Sequence, residues 1–321
     1  MIFDRKYFSK IKGDASFREF YRKKSKNKKS IIIYSKKEKF KNLLVYDAIN
    51  KLLISNRLSA PKLINQKYSK NYIEVTDFGK KIDLNEIKKR DNKLSFYKKV
   101  INILNNLQKI KKFKIKNFQN INYQLPYYNE KILFNEAKLF CDWYVPKNIS
   151  GRKNKINKIL KKKIYKLLSN LKQKNNTFVH RDFHLSNLMI FQDKIAIIDS
   201  QDAVIGNPAY DVASLIDDVR YKTSVLLKQK IYKYYLNKNK NIYNETFFLN
   251  DFEILSVLRN LKIIGIFSRL AQRDNKYQYL KFIPYAWKLI DLRCNENYLL
   301  KDLKAFLYKN FSKNIRNKYA N

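Results

Sequence analysis

The sequence predicts an α+β fold in two parts: a small β-rich part over residues 1–79 and a larger, mostly helical part over residues 80–321. Two patterns carry this. Before residue 79, short β-branched and aromatic runs alternate with Lys, Asn, Gly and Pro clusters, the mark of strands and turns. Beyond it, apolar residues recur at three- and four-residue spacing, the mark of amphipathic helices. A third pattern interrupts the helices. Two short apolar runs, 188–191 and 195–198, are separated by the polar turn residues Gln192 and Asp193.

In order along the chain, residues 17–21 and 30–34 are strand candidates joined by a Lys/Asn turn. Residues 39–54 place Phe40, Leu43, Leu44, Ala48, Leu52 and Leu53 at helical spacing. Pro61 precedes a third strand, and 72–75 is a fourth, broken by ThrAspPheGly at 76–79. Leu94, Tyr97, Ile101, Leu104 and Leu107 form one helical stripe, and Ile156, Leu160, Ile164, Leu167 and Leu171 another. The Lys/Asn-rich stretches 22–30 and 236–242 are expected as loops, and no internal repeat is present.

Composition narrows the class. Apolar residues make up 45% of the 321, enough for a packed core rather than disorder. No apolar run approaches the length of a bilayer span. The opening MIFDRKYFSK carries charge from its fourth residue and lacks an apolar stretch, so no signal peptide is expected. Cys141 and Cys294 fit no metal spacing and no disulfide framework, which suits a reducing cytoplasm. The net charge of +42 points either to a nucleic-acid or anionic-surface binder or to biased base composition. Lys, Asn, Ile, Tyr and Phe all have A/T-rich codons, and the lysines are scattered over every predicted element. That dispersion favours the compositional explanation.

The chemistry is concentrated in HRDFHLSN, residues 180–187, which hold both histidines of the chain. The spacing reproduces the catalytic-loop pattern HRDxxxxN of phosphoryl-transfer enzymes. Asp182 is placed to accept a hydroxyl proton and Asn187 to hold a metal. A chance match in a chain this long has odds of roughly one in a few hundred. Twelve residues after Asn187, at the end of IAIID, comes Asp199, where such enzymes carry a second metal-binding carboxylate. A tight hairpin over 188–198 would bring Asn187 and Asp199 to one edge, with Asp182 in the loop before it. Two oxygen ligands would then hold Mg²⁺ on nucleotide phosphates, and a nearby carboxylate would orient the attacking hydroxyl.

Glycine is rare, with five residues in all. Gly13 opens GDASFREF at 13–20, where backbone N–H groups and the Ser16 hydroxyl could meet phosphate; a plain turn reads the segment equally well. Gly79, beside Asp77, follows the fourth strand, where a hinge would offer backbone groups to adenine. Asp211, beyond Gly206, is either the N-cap of a helix or a buried brace for the catalytic loop.

On these motifs the chain resembles the aminoglycoside phosphotransferase/choline kinase-like enzymes, which share the protein-kinase bilobal fold. Among them it is most similar to the anomeric kinases of N-acetylmuramate and N-acetylglucosamine. The matching stretches are GDASFREF at 13, VTDFG at 75, FCDWYVP at 140, VHRDFHLSNLMI at 179, IIDSQDAVIGNPAYDVASLIDD at 197 and RNLKIIGIFSRLAQRD at 259. The resemblance implies a nucleotide-binding N-lobe over 1–79 and a catalytic and substrate-binding C-lobe over 80–321. It implies ATP and Mg²⁺ as cofactors, Asp182 as base, Asn187 and Asp199 as metal ligands, and Gly13, Ser16, Asp77 and Gly79 near the nucleotide. Two departures stand out. Ser200 follows the metal-binding Asp where the family usually has Phe. In SIIIYSKK, Tyr34 stands where a protein kinase has its phosphate-binding lysine, with Lys36 and Lys37 just beyond, so no such lysine is assigned.

The 259 segment bears on the acceptor. Arg259, Lys262, Arg269 and Arg273 fall on one helical stripe, either a solvated basic face or a partner for the lactyl carboxylate of N-acetylmuramate. Asp218 is a candidate for sugar hydroxyls, and Trp143 for stacking on a sugar or for core packing. The function implied is ATP-dependent phosphorylation of an amino sugar at its anomeric hydroxyl, in peptidoglycan recycling. Choline and aminoglycosides are the alternative acceptors, although their cationic character sits badly with +42. A nucleic-acid binder on a kinase-like scaffold is the alternative of another class, and no repeated aromatic–basic platform supports it. The expected partners are nucleotide and a small amino sugar, with no membrane.

Overall fold

The computed structural model describes residues 4, 6–11, 18–24, 29–36, 38, 42–79, 93–192 and 194–320. Gly13, Ser16, Lys37, the start of the strand expected at 17, the helix start at 39–41 and the lobe boundary at 80 lie outside these. The chain divides into two compact units, residues 1–126 with 177–205, and residues 127–176 with 206–321.

The first unit is built on an antiparallel five-stranded sheet. Its strands are β1 (Phe8–Ile11), β2 (Glu19–Lys23), β3 (Ser30–Tyr34), β4 (Leu63–Lys67) and β5 (Tyr72–Thr76), in the order β1-β2-β3-β5-β4. Ile33 pairs with Ile73 and Ile31 with Val75 across β3 and β5. The two-residue alternation of a strand puts Ile33, Ile73 and Val75 on one face. There they pack against Leu43 and Tyr46 of helix α1 (Asn42–Ser55). Four of the five strands were legible from their alternation. β1 was not, because FSKI lies at the sheet edge with its central Ser9 and Lys10 exposed and carries almost no apolar signal.

Helix α2 (Lys93–Gln108) buries Tyr97, Ile101, Leu104 and Leu107, as its stripe requires. The short strands β6 (Lys114–Lys116) and β7 (Asn122–Gln124) pair with each other. β8 (Thr177–Val179) is fully buried and leads into the 180–187 loop. β9 (Leu188–Phe191) and β10 (Lys194–Ile197) then form the expected antiparallel hairpin. The hairpin is held in the unit by Ile197 N–H, which donates to Ser59 O at 2.8 Å. Phe78, just past β5, packs on Met189 and Ala196, and its ring lies 5.2 Å from that of Phe191.

The second unit is helical: α3 (Glu130–Ala137), α4 (Lys153–Leu168), α5 (Ala209–Ile216), α6 (Val225–Lys238), α7 (Glu245–Asp274), α8 (Ile283–Glu296) and α9 (Lys301–Asn310). α6 runs to Lys238, so the loop expected over 236–242 begins later. α4 buries Ile156, Leu160, Ile164 and Leu167, and ends before Leu171. α7 is the 30-residue axis of the unit, with Asn244 Oδ1 capping Phe247 N–H and Asn275 closing the other end in the left-handed conformation. Gly265 lets α7 approach a π-helical turn at Phe140–Tyr144: a Cβ there would lie 2.3 Å from the Leu139 carbonyl carbon. Phe140, Tyr144, Trp287 and Phe311 form one aromatic cluster beneath that turn.

Two buried carboxylates fix the helices of this unit. Asp217 accepts from Arg293, Lys228 and Ser256, and the paired cations hold it ionised, far below the usual carboxylate range despite full burial. Asp251 accepts from the backbone N–H of Lys172 and Gln173 and from Asn207 Nδ2 at 2.7–2.8 Å. Asn207 Oδ1 in turn takes the N–H of Ala209, the first residue of α5, with Pro208 at the N-cap position. Asp211 is therefore not the N-cap; it lies fully buried in the first turn. Among the described residues no helix is long and apolar enough to cross a membrane.

Candidate active site

The hairpin register decides the geometry. Leu188 opposes Ile197, and one step further Ile198 N–H donates to Asn187 O at 3.0 Å. Asn187 and Asp199 therefore leave the same end of the ladder. The preceding loop is tied to that end. Asp182 O accepts from His184 N–H and from Asn187 Nδ2, both at 3.0 Å. His180 Nε2 donates to Ile198 O at 3.1 Å, so the start of the loop is pinned to the end of β10. The imidazole is fully buried, and desolvation pushes its pKa below the ordinary value, so it is neutral at pH 7.

Two residues of the site adopt left-handed backbone, Arg181 at φ +71 and Asp199 at φ +64. Each costs an L-residue roughly 1–2 kcal/mol, and the hydrogen bonds around them offset it. Arg181 Nη1 donates to Asp202 O at 3.3 Å. Asp199 Oδ1 accepts from Arg18 Nη2 and Gln201 Nε2, both at 3.1 Å. Ser200 is fully buried and donates to Asn50 Oδ1 of α1 at 3.1 Å. The residue after Asp199 is thus a polar tie to α1.

Asp77 and Gly79 form a second constellation in the same unit. The Asp77 carboxylate takes Arg22 Nε at 2.6 Å and Nη2 at 3.1 Å, and Gly79 N–H at 2.8 Å. Arg22 Nη2 also reaches Gly79 O at 2.6 Å. The φ of +85 at Gly79 requires a glycine. This segment is thus a braced turn after β5, with Asp77 buried inside it.

The acceptor candidates lie in the second unit. Asp218 is buried, its Oδ1 accepts from Arg220 N–H at 3.0 Å, and its Oδ2 has no hydrogen-bond partner among the described residues. The basic stripe is not one solvated face. Arg259 is buried, with Nη1 unpartnered among the described residues. Lys262 pairs with Glu136 at 2.8 Å and donates to the Tyr210 hydroxyl at 3.3 Å. Arg269 is half-buried, and desolvation pushes its pKa down. Arg273 is exposed and pairs with Asp274. Trp143 is half-buried on the π-helical turn, its carbonyl accepting from Gln272.

The first unit thus brings Asp182, Asn187 and Asp199 together, with Asp77 and Gly79 elsewhere in it. Sequence reasoning passed over Arg18, although it lies within the quoted GDASFREF segment. Also unforeseen were Glu136 and Asp251, single polar residues on helices with no motif to mark them, and Asn207, within the quoted 197 stretch but not singled out there. Among the described residues no group of three or more His, Cys, Asp or Glu side chains forms a metal site. The available donor set is one carboxylate and one amide oxygen. Asn187 spends its Nδ2 on Asp182 O, so Oδ1 is the atom it could offer a metal. Hard oxygen donors in that number fit Mg²⁺, which takes one or two protein oxygens and completes its shell with phosphate and water.

Solved structures share this fold. An ethanolamine kinase of Plasmodium vivax aligns over 89% of this chain and 82% of its own at TM-score 0.60 and 17% identity. The choline kinase LicA of Streptococcus pneumoniae aligns over 92% and 93% at 0.59 and 13%. An aminoglycoside phosphotransferase, APH(2")-IIa, solved with streptomycin and ATP, aligns over 86% and 92% at 0.59 and 15%. The fold is kinase-like. A family model described as "Phosphotransferase enzyme family" matches residues 8–240, and the chain belongs to that family. Three curated relatives each carry the name N-acetylmuramate/N-acetylglucosamine kinase. That of Caulobacter vibrioides is 34% identical over 40% of this chain, and the match spans 36% of the relative's length. That of Neisseria meningitidis is 24% identical, covering 85% of this chain and 81% of its own. That of Pseudomonas aeruginosa is 26% identical, covering 87% and 81%. The chain is a small-molecule kinase.

Proposed function

We propose that this chain transfers the γ-phosphoryl group of ATP, with Mg²⁺, to the anomeric hydroxyl of N-acetylmuramate or N-acetylglucosamine, in peptidoglycan recycling. The observation that carries the chemistry is the β9–β10 register, which sends Asn187 and Asp199 out of one end of a hairpin to which the Asp182 loop is bonded. In this reading Asn187 Oδ1 and the Asp199 carboxylate would hold Mg²⁺, which would supply positive charge to offset the charge that develops on the transferred phosphoryl group. Asp182 takes the acceptor proton. The anomeric hydroxyl is more acidic than other sugar hydroxyls, so a half-buried carboxylate suffices as its base. The braced turn at Asp77 and Gly79 is the nucleotide-side edge in this reading.

The acceptor assignment rests on the curated relatives and on two buried groups of the second unit. Asp218 Oδ2 suits a sugar hydroxyl, and Arg259 Nη1 suits a carboxylate; each has hydrogen-bonding capacity to offer. A phosphate-transfer screen with ATP, Mg²⁺ and a panel of amino sugars, choline and aminoglycosides tests the reading, with phosphorus NMR to locate the new ester. A 6-phosphate, or turnover of choline alone, would overturn the acceptor and leave the kinase. Arg259→Met should raise KM for N-acetylmuramate more than for N-acetylglucosamine, because only the former carries the lactyl carboxylate.

A further inference from the structure

The first unit holds a cation that the reading above leaves without a role. Arg18 stands just before β2, and its side chain is 5% exposed. Its guanidinium lies 5.8 Å from the centre of the Phe20 ring and 5.7 Å from that of Tyr46 on α1. Nη2 donates to Asp199 Oδ1 at 3.1 Å. On another side lies Glu38, whose carboxyl burial pushes up, while the Leu43 N–H, the Ser35 hydroxyl, the Leu44 N–H and the Arg18 charge pull it back.

Strand geometry shows which residues share a face with Arg18. Phe20 opposes Ile33 and Glu19 opposes Tyr34. Side chains alternate, so Phe20 and Ile33 share the face covered by α1, and Tyr34 shares the other face with Glu19. Arg18 is two residues from Phe20 and therefore belongs to the covered face. The β3 residues on that face are Ile31 and Ile33, followed past the strand end by Ser35, none of them cationic. Among the described residues, the only strongly basic side chain bonded to Asp199 comes from the residue just before the neighbouring strand β2.

We propose that Arg18 is the phosphate-binding cation of this site: with nucleotide bound, its guanidinium contacts phosphate oxygens beside the metal-binding Asp199. The inference rests on the kinase reading and deepens it. Protein kinases meet the same need with a β3 lysine, paired with a helix carboxylate and close to the metal-binding Asp. Here the guanidinium is already desolvated, 5.8 and 5.7 Å from two ring centres and bonded to Asp199, so little rotamer freedom is lost when phosphate arrives. Its planar fork can keep one N–H on Asp199 and turn another to a phosphate oxygen.

The test is calorimetric binding of ATP, ADP and adenosine to the full chain, with and without Mg²⁺, for wild type, Arg18→Met and Arg18→Gln. Arg18→Met should weaken ATP and ADP by about 10- to 100-fold, the loss of one charge-assisted bond. Adenosine should stay within about twofold, because it carries no phosphate. Equal losses for adenosine and ATP would make Arg18 a strut for the sheet. Unchanged ATP affinity would remove it from the phosphates altogether. Should Arg18→Met fail to fold, Arg18→Gln, which keeps a donor for Asp199, answers the same question by the same criterion. A wild type that binds no nucleotide would sink the kinase reading and this inference with it, whereas ATP binding that survives in both variants sinks the inference alone.

Discussion

Replacing Asp199 with asparagine removes one charge and almost no volume, so it separates metal binding from folding. In the absence of ligand the variant loses the ionic part of the Arg18 pair, while an amide oxygen can still accept from Arg18 and Gln201. The aspartate side chain is 44% exposed, so solvent screens the pair, and the loss should be about 1 kcal/mol or less. For 321 residues unfolding cooperatively, an unfolding entropy of about 0.7 kcal/mol/K makes that a fall of roughly 1–2 °C in Tm. Ligand binding reads differently. At about 100 times Kd, Mg²⁺–ATP stabilises the native state by about 2.7 kcal/mol, or roughly 4 °C. The part of that shift that requires Mg²⁺ should vanish in Asp199→Asn, and the part given by ATP with a chelator should remain. Scanning fluorimetry of both proteins with ATP, with and without Mg²⁺, makes the measurement. The same Mg²⁺-dependent shift in the variant and the wild type would remove Asp199 from the metal and refute the argument from the hairpin register.

Asp182→Asn should fold normally, because its backbone carbonyl carries the bonds to His184 and Asn187 and survives the change. It should lose roughly 10²- to 10⁴-fold in turnover at nearly constant nucleotide affinity; turnover close to wild type would make another group the base. Gly265→Ala drives a methyl against the Leu139 and Phe140 backbone and should cost about 3 kcal/mol or more, seen as a lower denaturation midpoint. The Glu253 carboxyl is raised to about 7 by burial and by the neighbouring Glu296. Its folded pKa lies above its unfolded value, so the folded state holds the extra proton between about pH 4.5 and 7, and stability falls as pH rises through that window. Glu253→Gln should remove a fall of about 3 kcal/mol in unfolding free energy across that range, read from urea denaturation at each pH; an unchanged pH dependence would place the titration elsewhere.

The sequence by itself determined the local geometry of residues 180–199. HRDFHLSN, a two-strand spacing and a terminal Asp are local facts, because a short hairpin is governed by its own alternation and its own turn. Asn187 and Asp199 could therefore be brought together on paper from residues 180–199 alone. Long apolar stripes were equally legible, as in α2 and α4, since helical period is written in one stretch of chain. Three things were decided only by tertiary structure. The edge strand β1 pairs through its backbone, and FSKI carries no pattern that announces it. The basic stripe on α7 looked uniform as text, yet Arg259 is buried, Lys262 is neutralised by Glu136 and Arg273 faces water, because what meets a helix face is chosen by distant segments. Arg18 reaches Asp199 across a sequence separation of 181 residues. Strand order and register set that contact, and no local periodicity records them.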